Sequence, residues 1–430
     1  MKNLQVYIEI LGEQRLVGHI AGSDYTDARF QYENEYMDSS YGHPISISLP
    51  FQMEEFSIQQ TKNFFEGLLP EGFSRRAVAN WAKVDENDYL SILAELGREC
   101  LGAIMVVEGK KSTSQHYEKL GIKQVKELAA EGATRSTRIL METHLSLTGA
   151  SGKVGLYYDK DHDEWYLPKG NAPSTHIVKQ SHVRLEQIVL NEQLCMLTAK
   201  LLGIDVPDSY IINLGKGKDE EVLFATQRYD RKLSDRKTID GLRTPLRLHQ
   251  EDFSQALGIA SSQKYEKEPS GYMGKMFDLV ASNSSNPLED QKKLLERIVF
   301  NCLIGNIDCH IKNYSILYSE DLGEIRLAPA YDIVSTRVYK MTNEMSFFIG
   351  GELNINKINR KSFEVAAQDM KIGKKMVMNV YDLVANRFEK ALKEAADMLA
   401  GNGYKGAKEI SEKILLSNVS TNEGTMMKNQ

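Results

Sequence analysis

Three side chains in one short stretch could carry chemistry. Asp308 and Asn313 stand five positions apart in Gly305-Asn-Ile-Asp-Cys-His-Ile-Lys-Asn313, and Asp332 ends Ala328-Pro-Ala-Tyr-Asp332. Phosphoryl transfer asks for this set. One carboxylate takes the proton of an acceptor hydroxyl, and hard oxygen donors hold Mg²⁺ against a triphosphate. The offset matches that of base and metal ligand in H-R-D-x-x-x-x-N. Asp308 therefore reads as the base, and Asn313 and Asp332 as metal ligands. His310 and Lys312, inside the same loop, are expected to face the nucleotide. The text between the two acids, Ile316-Leu-Tyr, a turn at Glu320–Gly323 and Ile325-Arg-Leu, reads as a hairpin. A lone D-x-x-x-x-N is also ordinary turn sequence, so the surrounding elements decide.

Those elements are well marked. Asn286, Pro287 and Glu289 read as the capped start of a helix. Leu294, Leu295, Ile298, Val299, Cys302 and Leu303 form its apolar stripe, and Gly305 suits the left-handed residue after its end. A buried helix thus delivers the polar loop. Upstream, Thr148-Gly149-Ala150-Ser151-Gly152-Lys153 joins two strand-like runs. Glycines there let backbone N–H groups approach phosphates, and Lys153 adds charge; the same text can be a plain hairpin turn. Lys179 closes the strand Thr175–Gln180, while Glu192 lies within the apolar stripe of a helix spanning 185–203. A carboxylate on a buried helical face needs a partner. In kinases a strand lysine on the phosphates pairs with a glutamate of the next helix, so Lys179 and Glu192 are expected to pair. Gln227 and Tyr229, after the strand beginning at Val222, are placed at an adenine-reading hinge.

The 430 residues, 42% hydrophobic and 26% charged, suit a globular protein with sizeable cores. Fifty-three basic against 59 acidic residues give a net charge of −6, which is not an overall nucleic-acid-binding balance. No apolar run is long enough for a membrane helix, the start reads as a strand rather than a leader, and four scattered cysteines suggest a reducing compartment, so a cytoplasmic location is expected. Short β-rich runs at 6–10, 16–20, 28–32 and 45–49 predict a small antiparallel sheet, followed by short helices and a strand over 97–107. The expected boundaries are 1–110 for an N-terminal subdomain, 138–235 for a β-rich lobe and 245–417 for a helical lobe holding the catalytic loop; a linker is read near 109–118. Beyond the hairpin the text after about 250 reads as helix, with an irregular last dozen residues. The fold class is α+β, two-lobed and protein-kinase-like with an extra N-terminal β-rich module.

Several motifs together resemble the HipA family, bacterial serine/threonine kinase toxins of type II toxin–antitoxin modules. They are Phe64-Phe-Glu-Gly-Leu-Leu-Pro-Glu-Gly, Gly97-Arg-Glu-Cys-Leu-Gly-Ala-Ile, Thr175-His-Ile-Val-Lys, Gln227-Arg-Tyr-Asp-Arg, Leu248-His-Gln-Glu-Asp-Phe-Ser-Gln-Ala-Leu-Gly, Lys264-Tyr-Glu and the two catalytic segments. The resemblance implies a fold distantly related to lipid kinases, with ATP and Mg²⁺ as cofactors and Lys179 as the phosphate lysine. It implies autophosphorylation of Ser146, just before the phosphate loop, where added negative charge would repel nucleotide. It also implies a HipB-like DNA-binding antitoxin through which DNA is met indirectly, and a protein substrate among translation components such as an aminoacyl-tRNA synthetase. Ser151 and Gly152 depart from the family's usual loop, while Lys153 is kept. Two other functions compete: a catalytically weak nucleotide-binding co-repressor, and a kinase for a lipid or small molecule.

Overall fold

The computed structural model describes residues 2–109, 114–130, 139, 153–181 and 185–426. The chain forms two compact units: Met1–His182 with Glu220–Ser261 and Ile316–Ile325, and Val183–Asp219 with Ser262–Ser315 and Arg326–Gln430.

The first unit opens with a four-stranded antiparallel sheet. Lys2–Ile10 is central, flanked by Glu13–Gly22 and Ile104–Glu108, with Arg29–Tyr32 outside Glu13–Gly22. Leu4, Val6 and Ile8 alternate inward and are fully buried, the period-two pattern of a strand with one face on a core. Phe30, Phe64 and Phe65 pack on that face, with ring centroids 5.0–5.2 Å apart. Helix Ile58–Glu66 brings the last two; it starts from a capping box in which Ser57 and Gln60 satisfy each other's backbone N–H groups. The expected strand over 45–49 does not form. Ser46 and Leu49 share one isolated bridge, because the Ser46 hydroxyl and Ile47 N–H are donated to Glu251 instead, at 2.5 and 3.0 Å. The strand expected over 97–107 begins only at Ile104; residues before it turn Glu99 into the interior.

A second sheet of this unit runs Gln115–Lys119, Glu164–Gly170, Lys153–Asp159, His176–Gln180, Val222–Gln227. An unanticipated hairpin follows, Arg231–Ile239 paired with Leu242–Arg247. Its turn is Asp240-Gly241, both at positive φ (51° and 81°), as a tight hairpin requires. Six buried charges join the two sheets. Glu99 accepts from Arg231 and Arg247, Arg228 is bonded to Asp230, and Arg247 reaches Glu9. The hairpin read between Asp308 and Asp332 is present as Ser315–Tyr318 and Ile325–Leu327. Its residues Ile316–Ile325 belong to this unit rather than to the helical one, since Tyr318 donates its N–H to the His249 carbonyl at 2.9 Å and its hydroxyl to Glu251 at 2.7 Å.

The second unit is mostly helical. Ile188–Leu202, Tyr272–Asn283, Pro287–Ile304, Arg360–Ala366, Lys374–Gly401 and Gly406–Met426 are its helices. Leu294, Leu295, Ile298 and Val299 are fully buried, each contributing about 1.5–3 kcal/mol relative to exposure. Val377, Val380, Val384, Phe388, Leu392 and Ala395 recur every three or four residues along the longest helix and face inward. Two expectations need correction here. A further hairpin, Glu344–Ile349 with Glu352–Asn354, interrupts the helical text, and the terminal helix runs on through Met426, anchored where the Asn418 amide donates to the Leu303 carbonyl.

Candidate active site

The loop after Pro287–Ile304 is built from the helix outward. Pro287 occupies its first turn as expected, but the Asn286 side chain caps nothing; its amide donates to Glu289 at 2.6 Å. The helix start is held through Asp290 instead. Its buried carboxylate accepts from the Ser284 hydroxyl, the Arg326 guanidinium and the Leu327 N–H, and these donors hold it below the usual carboxylate range against the opposing push of burial. At the other end Gly305 takes φ 76°, and its N–H returns to the Asn301 and Cys302 carbonyls. A Cβ at Gly305 would lie 3.0 Å from the Arg337 Cβ and 3.3 Å from the Ser335 Oγ, so glycine is required there twice over.

Beyond Gly305 the backbone is braced from several sides. Thr336 accepts the Ile307 N–H at 3.0 Å, Ser346 donates its hydroxyl to the Ile307 carbonyl at 2.8 Å, and Asn306 bonds Asn301, which reaches the Tyr314 hydroxyl. Asp308 is therefore an exposed carboxylate on a fixed loop. The Asn313 amide donates to the Asp308 carbonyl at 2.9 Å, closing the five-residue offset into one turn. That bond fixes the amide group, whose carbonyl oxygen is the atom able to meet a cation. The Tyr331 hydroxyl donates to the Lys312 carbonyl at 2.9 Å and lies 2.6 Å from the Ser315 hydroxyl. The residue before Asp332 is thereby tied to the residue before Asn313. Asp332 itself stands at φ 56°, an uncommon backbone state for a non-glycine residue and one associated with functional positions.

Mg²⁺ fits this donor chemistry. Among the described residues no three His, Cys, Asp or Glu side chains converge as a metal cage. Mg²⁺ characteristically uses one or two carboxylates, keeps several waters and takes phosphate oxygens for the rest. Asp332 and Asn313 supply hard oxygens of that kind.

The other expected residues lie as follows. His310 and Lys312 are buried in the loop. In the first unit Lys153 and Lys179 sit directly opposite each other on neighbouring antiparallel strands, and Phe224 is opposite Lys179 on the next strand, with the Lys179 Nζ 5.6 Å from its ring centroid. Glu192 is buried on Ile188–Leu202; the expected Lys179–Glu192 pair would join residues of different units. Gln227 ends its strand exposed, and the Tyr229 hydroxyl donates to Gln250. Ser146, Thr148, Gly149, Ala150, Ser151 and Gly152 lie outside the described residues.

Two features escaped the sequence reading. The first is Tyr265, whose hydroxyl donates to Asp308 Oδ1 at 2.6 Å; Lys264-Tyr-Glu was visible as a motif but had no assigned role. The second is that the charged residues of Gln227-Arg-Tyr-Asp-Arg turn inward. Arg228, Asp230 and Arg231 are buried with Glu99, so this motif and Gly97-Arg-Glu-Cys are two halves of one ionic cluster.

The fold is mixed α/β with a braced acid–amide loop on a buried helix, and sequence comparison gives the family. A HipA N-terminal domain model matches residues 8–107 and a HipA-like C-terminal domain model matches residues 145–395. The chain belongs to the HipA family. It is 29% identical over 405 residues to Y4mE of Sinorhizobium fredii, named as a candidate kinase, covering 91% of this chain and 93% of that one. It is 26% identical over 382 residues to the serine/threonine-protein kinase toxin HipA of Shewanella oneidensis, covering 86% and 84%. The fold matches a chain of the solved Shewanella oneidensis MR-1 complex of HipA, HipB and operator DNA, with a TM-score of 0.77 at 22% identity over 96% of both chains. Among the described residues no helix is long and apolar enough to cross a membrane.

Proposed function

We propose that this protein is an ATP- and Mg²⁺-dependent serine/threonine-protein kinase acting as a HipA-type toxin. The observation that carries the reading is the Asp308–Asn313 turn, braced by Thr336 and Ser346 and tied through Tyr331 to the segment holding Asp332. In the proposed reaction an acceptor hydroxyl gives its proton to the Asp308 carboxylate as its oxygen bonds the γ-phosphorus. The bond from that phosphorus to the β–γ bridging oxygen breaks, and ADP leaves. Asn313 and Asp332 would hold Mg²⁺, which when bound offsets phosphate charge. Lys153, Lys179, His310 and Lys312 are assigned to the nucleotide's phosphates, and Gln227 and Tyr229 to its base.

Membership of the family and likeness to the Shewanella toxin support a HipB-like DNA-binding antitoxin as partner, with DNA met through it. A cytoplasmic location, a translation component such as an aminoacyl-tRNA synthetase as substrate, and Ser146 as autophosphorylation site complete the proposal. The test is incubation of the wild type and Asp308→Gln with labelled ATP and Mg²⁺ in cell lysate. Labelled protein bands that vanish in the variant are expected. Bands that persist in the variant, or label confined to lipid or small molecules, would refute it.

A further inference from the structure

We infer that Tyr265 is a positioning residue for the Asp308 carboxylate, an inference that rests on the phosphoryl-transfer reading of that group. Tyr265 is 40% exposed. A phenol so placed ordinarily meets water, yet this one donates to Asp308 Oδ1 at 2.6 Å. Its ring meets His310 edge to face at 5.2 Å, and the Lys264 ammonium lies 5.3 Å from its centroid.

The backbone explains why the contact is fixed. Glu266 donates its N–H to the Ser346 carbonyl at 2.8 Å, and the Ser346 hydroxyl donates to the Ile307 carbonyl at 2.8 Å. One strand residue thus fastens both the neighbour of Tyr265 and the neighbour of Asp308. The buried Glu266 carboxylate accepts N–H groups from Ser270, Tyr272 and Phe348, at 2.7, 3.1 and 3.0 Å. The Lys264-Tyr-Glu motif is therefore an anchor (Glu266) that aims a hydroxyl (Tyr265).

An exposed carboxylate rotates about its last torsion, and only some orientations present a lone pair to an acceptor hydroxyl. A charge-assisted hydrogen bond on one oxygen sets the carboxylate plane and so the direction of the remaining lone pairs. The opposing role, a phenol that occupies the place of the acceptor hydroxyl, predicts faster transfer when the hydroxyl is removed.

Steady-state kinetics with labelled ATP on the wild type, Tyr265→Phe, Tyr265→Ala and Asp308→Gln separate these. Phenylalanine keeps the ring against His310 and removes only the hydroxyl. For both Tyr265 variants we expect kcat to fall roughly 10- to 100-fold, with KM for ATP within about twofold of wild type. A Tyr265→Phe rate equal to or above wild type overturns the inference, as does loss confined to Tyr265→Ala, which would assign the effect to ring packing. Wild-type transfer in Asp308→Gln would instead remove the reading on which the inference rests, and is seen without reference to Tyr265.

Discussion

Replacing Glu99 by glutamine tests whether the buried ionic cluster holds the first unit together. Glu99 accepts from Arg231 at 2.8 Å, from Arg247 at 2.7 Å and from Arg228 at 3.3 Å. Asp230 and Glu9 supply the remaining negative charge, so three carboxylates balance three guanidiniums in one buried cluster. Glutamine keeps the shape but leaves one buried positive charge uncompensated. Breaking a buried pair in this way costs about 3–5 kcal/mol, and at about 2–4 °C per kcal/mol for a unit of this size that lowers Tm by about 6–20 °C. Scanning calorimetry at pH 7 measures the drop. The pH dependence gives a second signature. Burial pushes the Glu99 carboxyl up, but Arg231, Arg247 and Arg228 outweigh it and hold it at about 2, against an ordinary 4.5. A depressed carboxylate contributes stability that is complete above its unfolded value and is lost as pH falls from about 4.5 towards 2. The acid limb of the Tm profile should therefore be shallower in Glu99→Gln. A Tm within about 2 °C of wild type, or an unchanged acid limb, would refute the argument that these charges depend on one another.

Gly305→Ala should destabilise the protein by about 1–3 kcal/mol, from left-handed strain and the 3.0 Å approach to the Arg337 Cβ, measured by urea unfolding; a variant as stable as wild type would contradict the described helix end. Glu251 has the opposite pH sign to Glu99: burial raises its carboxyl to about 7, despite hydrogen bonds from Ser46, Tyr318 and Ile47. The folded protein then holds a proton that the unfolded chain releases above about 4.5, so this group lowers stability as pH rises from about 4.5 to 7, by about 3 kcal/mol in all. Glu251→Gln should remove that slope from a plot of Tm against pH, and a slope that survives would show that Glu251 does not titrate in this window.

Local rules account for the elements whose constraints lie within one segment. The Pro287 start, the four-residue rhythm of Leu294, Leu295, Ile298 and Val299, and the glycine at 305 each express a constraint within one helix, and the described elements follow them. Asp308 and Asn313 are close in the chain, so their common turn follows from spacing. The Asp240-Gly241 pair is an equally plain local hairpin signal. The expected strand over 45–49 failed for a different reason: its pattern was right, but Glu251, some two hundred residues away, captured its donors.

The amino-acid order by itself determined the helices, most strands, the acid–amide turn and the family, because periodicity, turn chemistry and short spacings act between neighbours. Only the tertiary structure decided that the charges of Gln227-Arg-Tyr-Asp-Arg go inside, since their solvation is replaced by Glu99, and that the Tyr265 hydroxyl meets Asp308. It also assigned Ile316–Ile325 to the first unit, through the Tyr318 bonds to His249 and Glu251. Each of these turns on which distant group satisfies a donor or a charge, and the chain alone offers many partners of equal chemistry until packing selects one.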